Sequence, residues 1–585
     1  MPQSEEQLQN LRHSLAHLLA AAVMKLWPDT KRTIGPAIDD GFYFDFEFGK
    51  PITERDLPKI EKQMRKMLPT WDKFERHELD ADQAKKEYPG NEYKHELIDE
   101  FAKEGQKVSF YKSGDYWDLC RGGHVASMKE IDPGGFKLDR LAGAYWRGDE
   151  KNTMLTRIYG LAFPSKIDLD AYLVMREEAK KRDHKILGPK LDLFTFSDLV
   201  GAGLPLFTPK GTMVRDVLNE FVWELRKARG YESVDIPHIA KKDLYEKSGH
   251  WSKFSNELFR ITTREGHIFA MKPMNCPHHI QIFARKQWSF RELPQRYAST
   301  TKIYRDEQTG ELSGLSRVRS ITQDDAHVFC RQNQVQKEIS KIWDIIDEFY
   351  KPLGFELEVH LSRRDPNQPE KYLGTNHQWQ GSENALKTEM LSRKVWREEN
   401  DKIGEAAFYG PKIDFLAKDS LHRQWQLATI QLDFNQPERF NLTFVNQKGE
   451  KERIVMIHAA IMGSIERFMS ILIEHYAGAF PIWLAPVQVA VLPISEKVTS
   501  YSKKIYEALL TKDVRVELDD RNESIGKKIR DAEMQKLPYM LVLGEKEQAA
   551  NTVNVRKRGE RDQHSQSIDE FLIELKAAIA SKKTS

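Results

Sequence analysis

Apolar positions recur at helical spacing at the start of the chain. In LQNLRHSLAHLLAAAVMKLW, leucines repeat every three to four residues, which predicts an amphipathic helix. The text that follows, IGPAIDDGFYFDFEF, is typical of strands separated by turns. The segment 168–188, DLDAYLVMREEAKKRDHKILG, mixes acidic and basic residues as a solvated connecting helix does. These patterns predict a first domain over residues 1–168 and a helical linker over 169–186.

Two more pattern changes divide the rest of the chain. Residues 187–484 mix strand-like and helix-like stretches with aromatic residues, and they end in IHAAIMGSIERFMSILIEHYAG, which predicts a helix. Residues 485–585 alternate strands (VQVAVLPI, VRVELDD, YMLVLG, TVNVRKR) with helices (VTSYSKKIYEALL, IGKKIRDAEMQ, IDEFLIELKAAIA). Such alternation predicts a small α/β domain with a mainly parallel sheet. We therefore expect a multidomain chain with α+β and α/β parts.

Composition adds limits rather than a function. The chain has 585 residues, which is too many for one hydrophobic core, and its net charge of +2 means that any basic surface must be local. Three cysteines, Cys120, Cys276 and Cys330, are too few for a disulfide framework and suit a reducing compartment. The apolar stretch 18–24 follows acidic rather than basic residues, so we expect no signal peptide and a cytoplasmic protein.

Three residues of the central segment are candidate metal ligands. They are Cys276 in MNCPHH, His327 in QDDAHVFC and His458 in VMIHAAI. One cysteine and two histidines leave the fourth position of a tetrahedral zinc ion open, as in sites that bind a substrate. The sequence alone does not bring the three together, because long segments separate them and the chain has 18 histidines.

Arginines cluster in the same segment. YRDEQTGELSGLSRVRSITQDDAH predicts a hairpin with Arg305 and Glu307 on the first arm and Arg317 and Arg319 on the second. A guanidinium can clamp a carboxylate or a phosphate in a bidentate manner. Arg467 lies in the otherwise apolar MGSIERFMSIL, where a charge is costly unless it is paired or bound to a ligand. A structural salt bridge would explain Arg467 alone but not the whole set.

Taken together, these segments resemble class II aminoacyl-tRNA synthetases. The hairpin is similar to motif 2, GSIERF to motif 3, and Pro237 in GYESVDIPHI to the motif 1 proline of the dimer interface. MNCPHH, QDDAHVFC, FYGPKIDF, WQLATIQLDF and VMIHAAIMGSIERF resemble the threonine-specific branch, in register from about residue 11 onward. The resemblance implies an antiparallel-sheet catalytic core at 187–484, an α/β anticodon-binding domain at 485–585, a homodimer, and ATP-dependent attachment of threonine to tRNA.

The resemblance also implies roles for single residues. One zinc ion per subunit would be held by Cys276, His327 and His458, and ATP with Mg²⁺ would be a substrate. The implied catalytic residues are Arg305, His327, Lys412 and Gln426. The implied ATP-binding residues are Arg305, Glu307, Arg317, Gln426 and Arg467. The implied substrate-binding residues are Met274, Gln323, Asp325, Tyr409, Gln431 and Ser464.

The chemistry of threonine explains why such an enzyme needs both a metal and a second site. Valine is nearly isosteric with threonine, but a site that binds the hydroxyl can reject an analogue lacking it by roughly 10⁴-fold or more. Zinc can accept the amino group and the hydroxyl of threonine together. Serine keeps the hydroxyl and lacks only a methyl, worth about 1–3 kcal/mol. We therefore expect mischarged serine to be removed by hydrolysis.

The first domain offers a candidate for that second site. HxxxH on the predicted helix and CxxxH in DLCRGGH share i, i+4 spacing and resemble the α+β editing domain of threonyl- and alanyl-tRNA synthetases. The implied editing residues are His13, His17, Lys94, Asp118, Cys120 and His124. Four such donors could hold zinc, or they could orient a water and the ribose end of tRNA without metal. The threonine-specific branch implies the second interpretation.

Some features depart from the family pattern or allow other functions. Gly123 stands where the family commonly has a proline, which predicts a looser loop at the editing site. The editing helix begins almost at Met1, so we expect the chain to lack the small β-grasp domain that usually precedes the editing domain. The basic run Arg556, Lys557 and Arg558 fits RNA contact or a solvated strand end. A non-charging paralogue and a free-standing editing hydrolase are alternatives. The arginine set, the C-terminal domain and the complete central segment count against them.

Overall fold

The structure of the chain, a computed structural model, describes residues 5–102, 107–419, 423–560 and 562–583. The chain divides into two units, Met1–Glu178 and Ala179–Ser585. The division falls inside the predicted linker, which is two helices, Lys166–Arg182 and His184–Lys190. Asp183 separates them, and its side chain accepts a hydrogen bond from the backbone N–H of Lys185 and caps the second helix.

The first unit is built around the long N-terminal helix. The helix spans Glu5–Leu26, and its apolar face, with Leu15, Leu18 and Leu19 fully buried, packs on strand residues such as Phe44. The helical periodicity of the sequence is thus confirmed. A five-stranded antiparallel sheet contains Lys31–Arg32, Ala37–Ile38, Gly41–Glu47, Phe136–Tyr145 and Met154–Ala162. A three-stranded sheet contains Glu75–Leu79, Val108–Ser113 and Tyr116–Leu119, and the remaining helices are Leu57–Met67, Ala81–Lys86 and Glu92–Phe101.

An eight-stranded sheet forms the centre of the second unit. Its strands, in spatial order, are Glu232–Ser233, Gln295–Tyr304, Ser320–Cys330, Val455–Ser464, Gln424–Asp433, Lys412–Lys418, Glu356–Arg363 and Asp401–Ile403. The two short edge strands each run parallel to their neighbour, and all the other neighbouring pairs are antiparallel. The sheet packs against the helices Pro209–Lys227, Val335–Tyr350, Asn376–Ser392 and Ile465–His475. The expected antiparallel core is confirmed.

Smaller elements surround this sheet. One three-stranded sheet contains Ile239–Lys241, Ile268–Met271 and Arg260–Thr262, and a second contains Trp288–Ser289, Thr443–Val445 and Lys451–Arg453. A two-stranded sheet contains Phe194–Thr195 and Leu206–Phe207. Short helices span Lys242–Ser248, His250–Lys253, Cys276–Phe283 and Asn435–Arg439. Among the residues that the structure describes, no helix has both the length and the apolar character needed to cross a membrane.

One predicted helix is wrong in its first half. The apolar run at 457–478 begins as the strand Val455–Ser464, and only Ile465–His475 is helical. The strand is hydrogen-bonded on both sides, to Ser320–Cys330 and to Gln424–Asp433. A strand buried on both faces carries a continuous apolar run, which periodicity cannot distinguish from a buried helix. Ser464 marks the change, because its hydroxyl accepts from the N–H of Arg467 and caps the helix.

The C-terminal part is an α/β layer whose sheet is only half parallel. Its strands, in spatial order, are Val516–Leu518, Val489–Pro493, Tyr539–Leu543, Thr552–Lys557 and Gln563–Ser567. The helices are Thr499–Leu510, Ile525–Met534, Glu545–Ala550 and Ile568–Ser581. The first three strands pair in parallel and the last two pair antiparallel, so the mainly parallel sheet was an overstatement. The connection 544–551 is too short for a parallel crossover, which needs about a dozen residues.

Candidate active sites

A cavity of about 350 Å³ lies over the central strands of the second unit. It is lined by ten of the residues predicted from the sequence: Met274, Arg305, Gln323, Asp325, Tyr409, Gln426, Gln431, His458, Ser464 and Arg467. These residues come from strands and loops that are far apart in the chain, so the fold brings them to one place. The predicted residues Glu307, Arg317, His327 and Lys412, and the ligand Cys276, lie outside the lining.

The three predicted metal ligands meet at one end of this cavity. Cys276 begins the helix Cys276–Phe283, and His327 and His458 are directly opposite each other on paired strands. One ligand atom from each residue lies within 4.8 Å of the others, and all three residues are buried. His327 Nε2 lies 3.0 Å from His458 Nδ1. Sulfur and imidazole nitrogen are the donors that zinc prefers, so the set fits a three-ligand zinc site.

Burial controls the protonation of these ligands. Desolvation raises the pKa of the Cys276 thiol well above its usual value, and the carboxylates of Asp325 and Asp433 raise it further. Desolvation also lowers the pKa of His327 well below its usual value, with His458 adding to the effect. His327 is therefore a neutral imidazole with a free lone pair at neutral pH. The thiol would have to lose its proton on binding a metal ion.

The arginines of the predicted hairpin meet at the other end of the cavity. The strands end at Tyr304 and resume at Ser320, so Arg305 and Glu307 lie beyond the end of the first strand, and the prediction that a strand arm carries them is wrong. The arms are nevertheless joined, because the N–H of Arg305 donates to the carbonyl of Arg319 (3.0 Å). Arg317 is ion-paired with Glu307 (2.7 Å).

Arg467 faces the same hairpin from the helix Ile465–His475. Its Nε donates to the carbonyl of Ser316 (3.1 Å). Desolvation lowers the pKa of Arg467, and the nearby positive charges of Arg305 and Arg317 lower it further. The Nε of Arg305 is buried without a hydrogen-bond partner among the described residues. Clustered guanidinium groups with unused donors suit an anionic ligand such as a phosphate.

Lys412 is engaged beside the cavity rather than in it. Its ammonium group is ion-paired with Asp414, two residues along the same strand. Asp414 also accepts from the side chains of Gln426 (2.6 Å) and Thr429 (3.1 Å), so it ties Lys412 to a residue that lines the cavity. Asp414 was not predicted. The spacing of lysine and aspartate in FYGPKIDF could have revealed it, because residues i and i+2 of a strand share a face.

The cavity is also lined by buried polar groups. Gln431 donates to the carbonyl of Gly410 (3.1 Å), and the side-chain oxygen of Gln323 is buried without a partner among the described residues. Desolvation raises the pKa of Asp325 and raises that of Tyr409 well above its usual value. The Tyr409 hydroxyl is therefore a neutral donor. Such groups can bind the polar atoms of a small ligand.

The first unit contains a second cluster around a cavity of about 250 Å³. His13, His17, Cys120 and His124 each offer one donor atom, and these atoms lie within 4.8 Å of one another. Cys120 Sγ lies 3.3 Å from His124 Nε2 and 3.6 Å from His13 Nε2. The two i, i+4 pairs predicted from the sequence therefore converge, as both the metal and the metal-free interpretations require.

The predicted members Lys94 and Asp118 also line this cavity. They form a buried ion pair (2.8 Å), and Asp118 also accepts from Tyr116 Oη (2.8 Å). Burial opposes the charge of Asp118, but Lys94 and Arg32 outweigh it and hold its pKa below the usual range. Burial lowers the pKa of Lys94, and Asp118 counteracts this effect. The cavity thus has a fixed cation with its counter-charge.

The cluster itself is neutral. Desolvation lowers the pKa of His13 and His17, and it lowers that of His124 to about 3. Burial raises the pKa of the Cys120 thiol to about 11. His13 Nδ1 donates to the carbonyl of Gly123 (3.1 Å), so its Nε2 carries the lone pair that faces the thiol. The set can therefore accept hydrogen bonds from a water or a ribose hydroxyl.

The loop that carries Gly123 has a defined conformation. Gly122 and Gly123 have φ values of +101° and +85°, in the left-handed region that favours glycine. Proline holds φ near −65°, so a proline at position 123 would need a different backbone path. The N–H of Gly122 donates to Cys120 Sγ (3.3 Å), and the Gly123 carbonyl accepts from His13. The loop is thus held by two hydrogen bonds, which the prediction of a looser loop did not anticipate.

The basic run near the C-terminus is used within the protein. Arg556 is ion-paired with Glu533, and Lys557 with Glu560. Arg558 donates to the carbonyls of Ala479 (3.1 Å) and Phe480 (2.8 Å). These contacts give all three side chains partners within the protein.

Three family models match the sequence. The class II tRNA synthetase core domain (G, H, P, S and T) matches residues 259–476, and the anticodon binding domain matches 488–578. The second additional domain of threonyl and alanyl tRNA synthetases matches 108–159. The three matches lie in the three parts of the chain that the sequence pattern separated.

Curated relatives match almost the whole chain. The threonine–tRNA ligase of Acetivibrio thermocellus is 48% identical over 98% of this chain and 89% of its own length. That of Rubrobacter xylanophilus is 47% identical over 99% of this chain and 90% of its own length. The RNA binding domain of threonyl-tRNA synthetase from Cryptosporidium parvum superposes with a TM-score of 0.65 at 37% identity, covering 69% of this chain and 99% of that one. Prolyl-tRNA synthetase from Giardia lamblia, at 18% identity and a TM-score of 0.56 over 70% of this chain and 81% of that one, shares the fold.

Proposed function

The chain belongs to the threonine–tRNA ligase family of class II aminoacyl-tRNA synthetases, and on this premise we propose that it activates threonine with ATP, transfers it to tRNA, and hydrolyses tRNA mischarged with serine. The observation that carries the proposal is the convergence of Cys276, His327 and His458 at one end of a cavity whose other end holds Arg305 and Arg467. One end suits an amino acid with a hydroxyl group, and the other suits a triphosphate.

The metal end selects the amino acid. Zinc held by Cys276, His327 and His458 would supply a Lewis acid with a free position for the amino group and hydroxyl of threonine. Tyr409 and Gln323 offer polar atoms for the rest of the amino acid, and Asp325 offers a carboxylate that can accept a hydrogen bond from its amino group. A buried polar site of this kind rejects valine, which would leave these groups without partners.

The arginine end stabilises the charge that develops at the α-phosphate. Arg305 lines the cavity, and we assign its guanidinium to both the α-phosphate and the threonine carboxylate. Arg467 adds a second guanidinium, and the Arg317–Glu307 pair fixes the loop above the nucleotide. ATP would bring Mg²⁺ with it. We assign Gln426 to the nucleotide, and Lys412 to catalysis through the carboxylate of Asp414.

The first unit is proposed to remove serine without a metal. Neutral His13, His17 and His124 accept hydrogen bonds from a water and the terminal ribose, and Lys94 stabilises the charge that develops on the ester carbonyl. Cys120 is a thiol that contacts two of these rings. The cavity volume of about 250 Å³ suits a small amino acid and part of a ribose.

We further propose how the domains and partners are arranged. Residues 1–168 form the editing domain, 169–186 the linker, 187–484 the catalytic domain and 485–585 the anticodon-binding domain. A homodimer is proposed from the motif 1 similarity at Pro237. The tRNA accepts threonine in the transfer step, and mischarged tRNA is the substrate of hydrolysis. The anticodon-binding match at 488–578 is consistent with a tRNA partner.

Cysteine substitution tests the metal end. Cys276→Ala is expected to lose both bound zinc and threonine-dependent ATP–pyrophosphate exchange. Cys330→Ala is the matched control, because Cys330 is also buried but lies in the hydrophobic core. Retention of zinc and exchange by Cys276→Ala would refute the ligand assignment.

A histidine substitution tests the editing site. His13→Ala is expected to slow the deacylation of seryl-tRNA without changing threonine activation. His77→Ala, on an exposed strand of the same unit, is the control. Unchanged deacylation by His13→Ala would remove the proposed hydrolytic site. Zinc at two equivalents per chain in the wild-type protein would instead favour a metal in the first unit.

A further inference from the structure

We propose that His279, Asp433 and Ser299 are positioning residues that set the tautomers of the two histidine ligands, through one continuous line of hydrogen bonds. The inference rests on the zinc site proposed above. His279 belongs to the MNCPHH segment, but neither the predicted ligand set nor the proposed mechanism uses it.

The line runs through three imidazole rings. Ser299 Oγ lies 3.0 Å from His279 Nε2, and His279 Nδ1 lies 2.8 Å from His327 Nδ1. His327 Nε2 lies 3.0 Å from His458 Nδ1, and His458 Nε2 lies 2.9 Å from an oxygen of Asp433. All five residues are buried, and His279 and Asp433 have no exposed surface. Each ring nitrogen therefore has one partner within the line.

One end of the line is fixed. Asp433 accepts from the backbone N–H groups of Asn435 (2.8 Å) and Gln436 (2.9 Å) through Oδ1, which holds the carboxylate in place. Its other oxygen faces His458 Nε2 and can only accept. His458 therefore carries its hydrogen on Nε2. Its lone pair is on Nδ1, the atom that faces His327.

The rest of the line can be polarised in two directions. In the first, His327 donates from Nε2 to His458, His279 donates from Nδ1 to His327, and the Ser299 hydroxyl donates to His279. In the second, His327 donates from Nδ1 to His279, which donates from Nε2 to Ser299. Only the second direction leaves a lone pair on His327 Nε2 opposite the lone pair on His458 Nδ1. Two lone pairs that face each other repel, so this direction is stable when a cation lies between the two rings.

The two directions contain the same number of hydrogens. On the change from the first to the second, the Nε2 hydrogen of His327 leaves to solvent, His279 passes its Nδ1 hydrogen to His327 Nδ1, and Ser299 passes its hydroxyl hydrogen to His279 Nε2 and takes up another from solvent. No residue gains or loses net charge, and the one hydrogen bond that is lost, between His327 Nε2 and His458 Nδ1, is the place where the cation would bind. A serine hydroxyl at the end allows both directions, because it can donate or accept. The line thus prepares both histidines to bind zinc as neutral ligands.

The local sequence explains why His279 can take this role. Cys276 and His279 are three residues apart in the helix Cys276–Phe283, so they share a face. The same turn of helix therefore supplies a ligand and the support for another ligand. His278 points elsewhere, and both of its ring nitrogens are buried without a partner among the described residues. His278 is accordingly the matched control.

Zinc affinity of the full-length protein tests the proposal. Loss of a hydrogen-bond partner behind a metal ligand typically weakens metal binding by about 10- to 100-fold. We expect this loss for His279→Phe and for Asp433→Asn, whose amide would donate to His458 Nε2 and favour the wrong tautomer. Ser299→Ala should give a smaller loss in the same direction. His278→Phe should bind zinc as the wild type does, in competition with a chelator.

Two further measurements separate positioning from general folding. In the cobalt-substituted protein, His279→Phe and Asp433→Asn should change the ligand-field absorption bands, whereas His278→Phe should not. The KM for threonine should rise more than the KM for ATP. If His279→Phe fails to fold, Asp433→Asn and Ser299→Ala carry the test.

The outcomes distinguish this proposal from the function on which it rests. If folded His279→Phe or Asp433→Asn binds zinc with the affinity of the wild type, the positioning role alone is overturned. A wild-type protein that activates threonine without binding zinc would overturn the zinc site, and this inference with it. Equal weakening in His278→Phe would show that the effect comes from packing, and would also overturn the positioning role.

Discussion

Asp118 is the residue on which the charge balance of the editing cavity depends. It is buried, and it faces the ammonium group of Lys94 (2.8 Å) and the guanidinium of Arg32 (3.6 Å). The backbone N–H of Leu119 and the hydroxyl of Tyr116 also donate to it. A single carboxylate thus keeps a cation in position beside the histidine cluster, which ties the stability of the unit to its proposed chemistry.

Asp118→Asn is expected to destabilise the first unit by about 3–5 kcal/mol, because it leaves Lys94 as a buried cation without its main counter-charge. Hydrogen exchange of residues 5–178 in the full-length protein measures the loss. Asp82→Asn, on the exposed side of a short helix, should change nothing. An exchange rate unaltered by Asp118→Asn would contradict the buried ion pair.

The histidines predict how this unit responds to acid. Burial lowers the pKa of His13 and His17, and lowers that of His124 to about 3. The unfolded chain takes up protons on these residues below about pH 6.5, whereas the folded unit does not. Their contribution to stability is therefore complete above about pH 6.5 and is lost as the pH falls toward 3. A first unit whose exchange protection is constant from pH 7 to 4 would contradict this.

At the scale of elements, His184 joins three parts of the nucleotide site. It is buried, its Nδ1 donates to Glu474 (2.6 Å), and its Nε2 accepts from the backbone N–H of Leu315 (3.1 Å). The first helix after the linker break, the motif 3 helix and the motif 2 loop are thus held by one imidazole. Although Asp183, His184 and Glu474 are close enough to hold a metal, both ring nitrogens are already used.

His184→Phe is expected to raise the KM for ATP more than the KM for threonine, because the freed loop carries Arg317 and the carbonyl that Arg467 binds. The unpaired N–H of Leu315 should also cost about 1–3 kcal/mol of stability. Steady-state kinetics and thermal unfolding measure the two effects. Lys190→Ala, an exposed change at the end of the same helix, is the control. Equal rises in both KM values would indicate a general loss of structure.

Elements differ in how far the sequence could predict them. The helix Glu5–Leu26 was predicted from leucines at helical spacing, although almost every residue from Leu11 to Val23 is buried. The strand Val455–Ser464 is buried on both faces, and its apolar run was taken for a helix. Arg305 and Glu307 were expected on a strand but lie beyond its end, where loop geometry decides their positions. The local pattern of apolar residues indicates that a segment is buried. It does not indicate which distant segment packs against it.

The candidate sites show the same limit. Motif similarity predicted ten of the residues that line the main cavity, because those residues belong to recognisable segments. Asp414, Asp433 and His279 were missed, although they contact predicted residues. The spacing of Lys412 and Asp414 on one strand could have revealed Asp414, whereas the roles of Asp433 and His279 depend on contacts with histidines that are distant in the sequence.

At the scale of the whole molecule, two chemically different cavities serve one specificity. The cavity of the second unit has soft metal ligands and arginines, and it can distinguish threonine from valine by the hydroxyl group. It cannot strongly reject serine, which lacks only a methyl group worth about 1–3 kcal/mol. We propose that the cavity of the first unit, with neutral histidines and a buried cation, supplies the hydrolysis that such an enzyme needs.

The most direct test of the central claim is amino-acid-dependent ATP–pyrophosphate exchange by the zinc-loaded full-length protein, with threonine, serine and valine compared in parallel. The account predicts strong exchange with threonine, exchange with serine reduced by tens to a few hundred-fold, and exchange with valine reduced by roughly 10⁴-fold or more. Exchange with valine that equals or exceeds that with serine, or no exchange with threonine while zinc is bound, would contradict it.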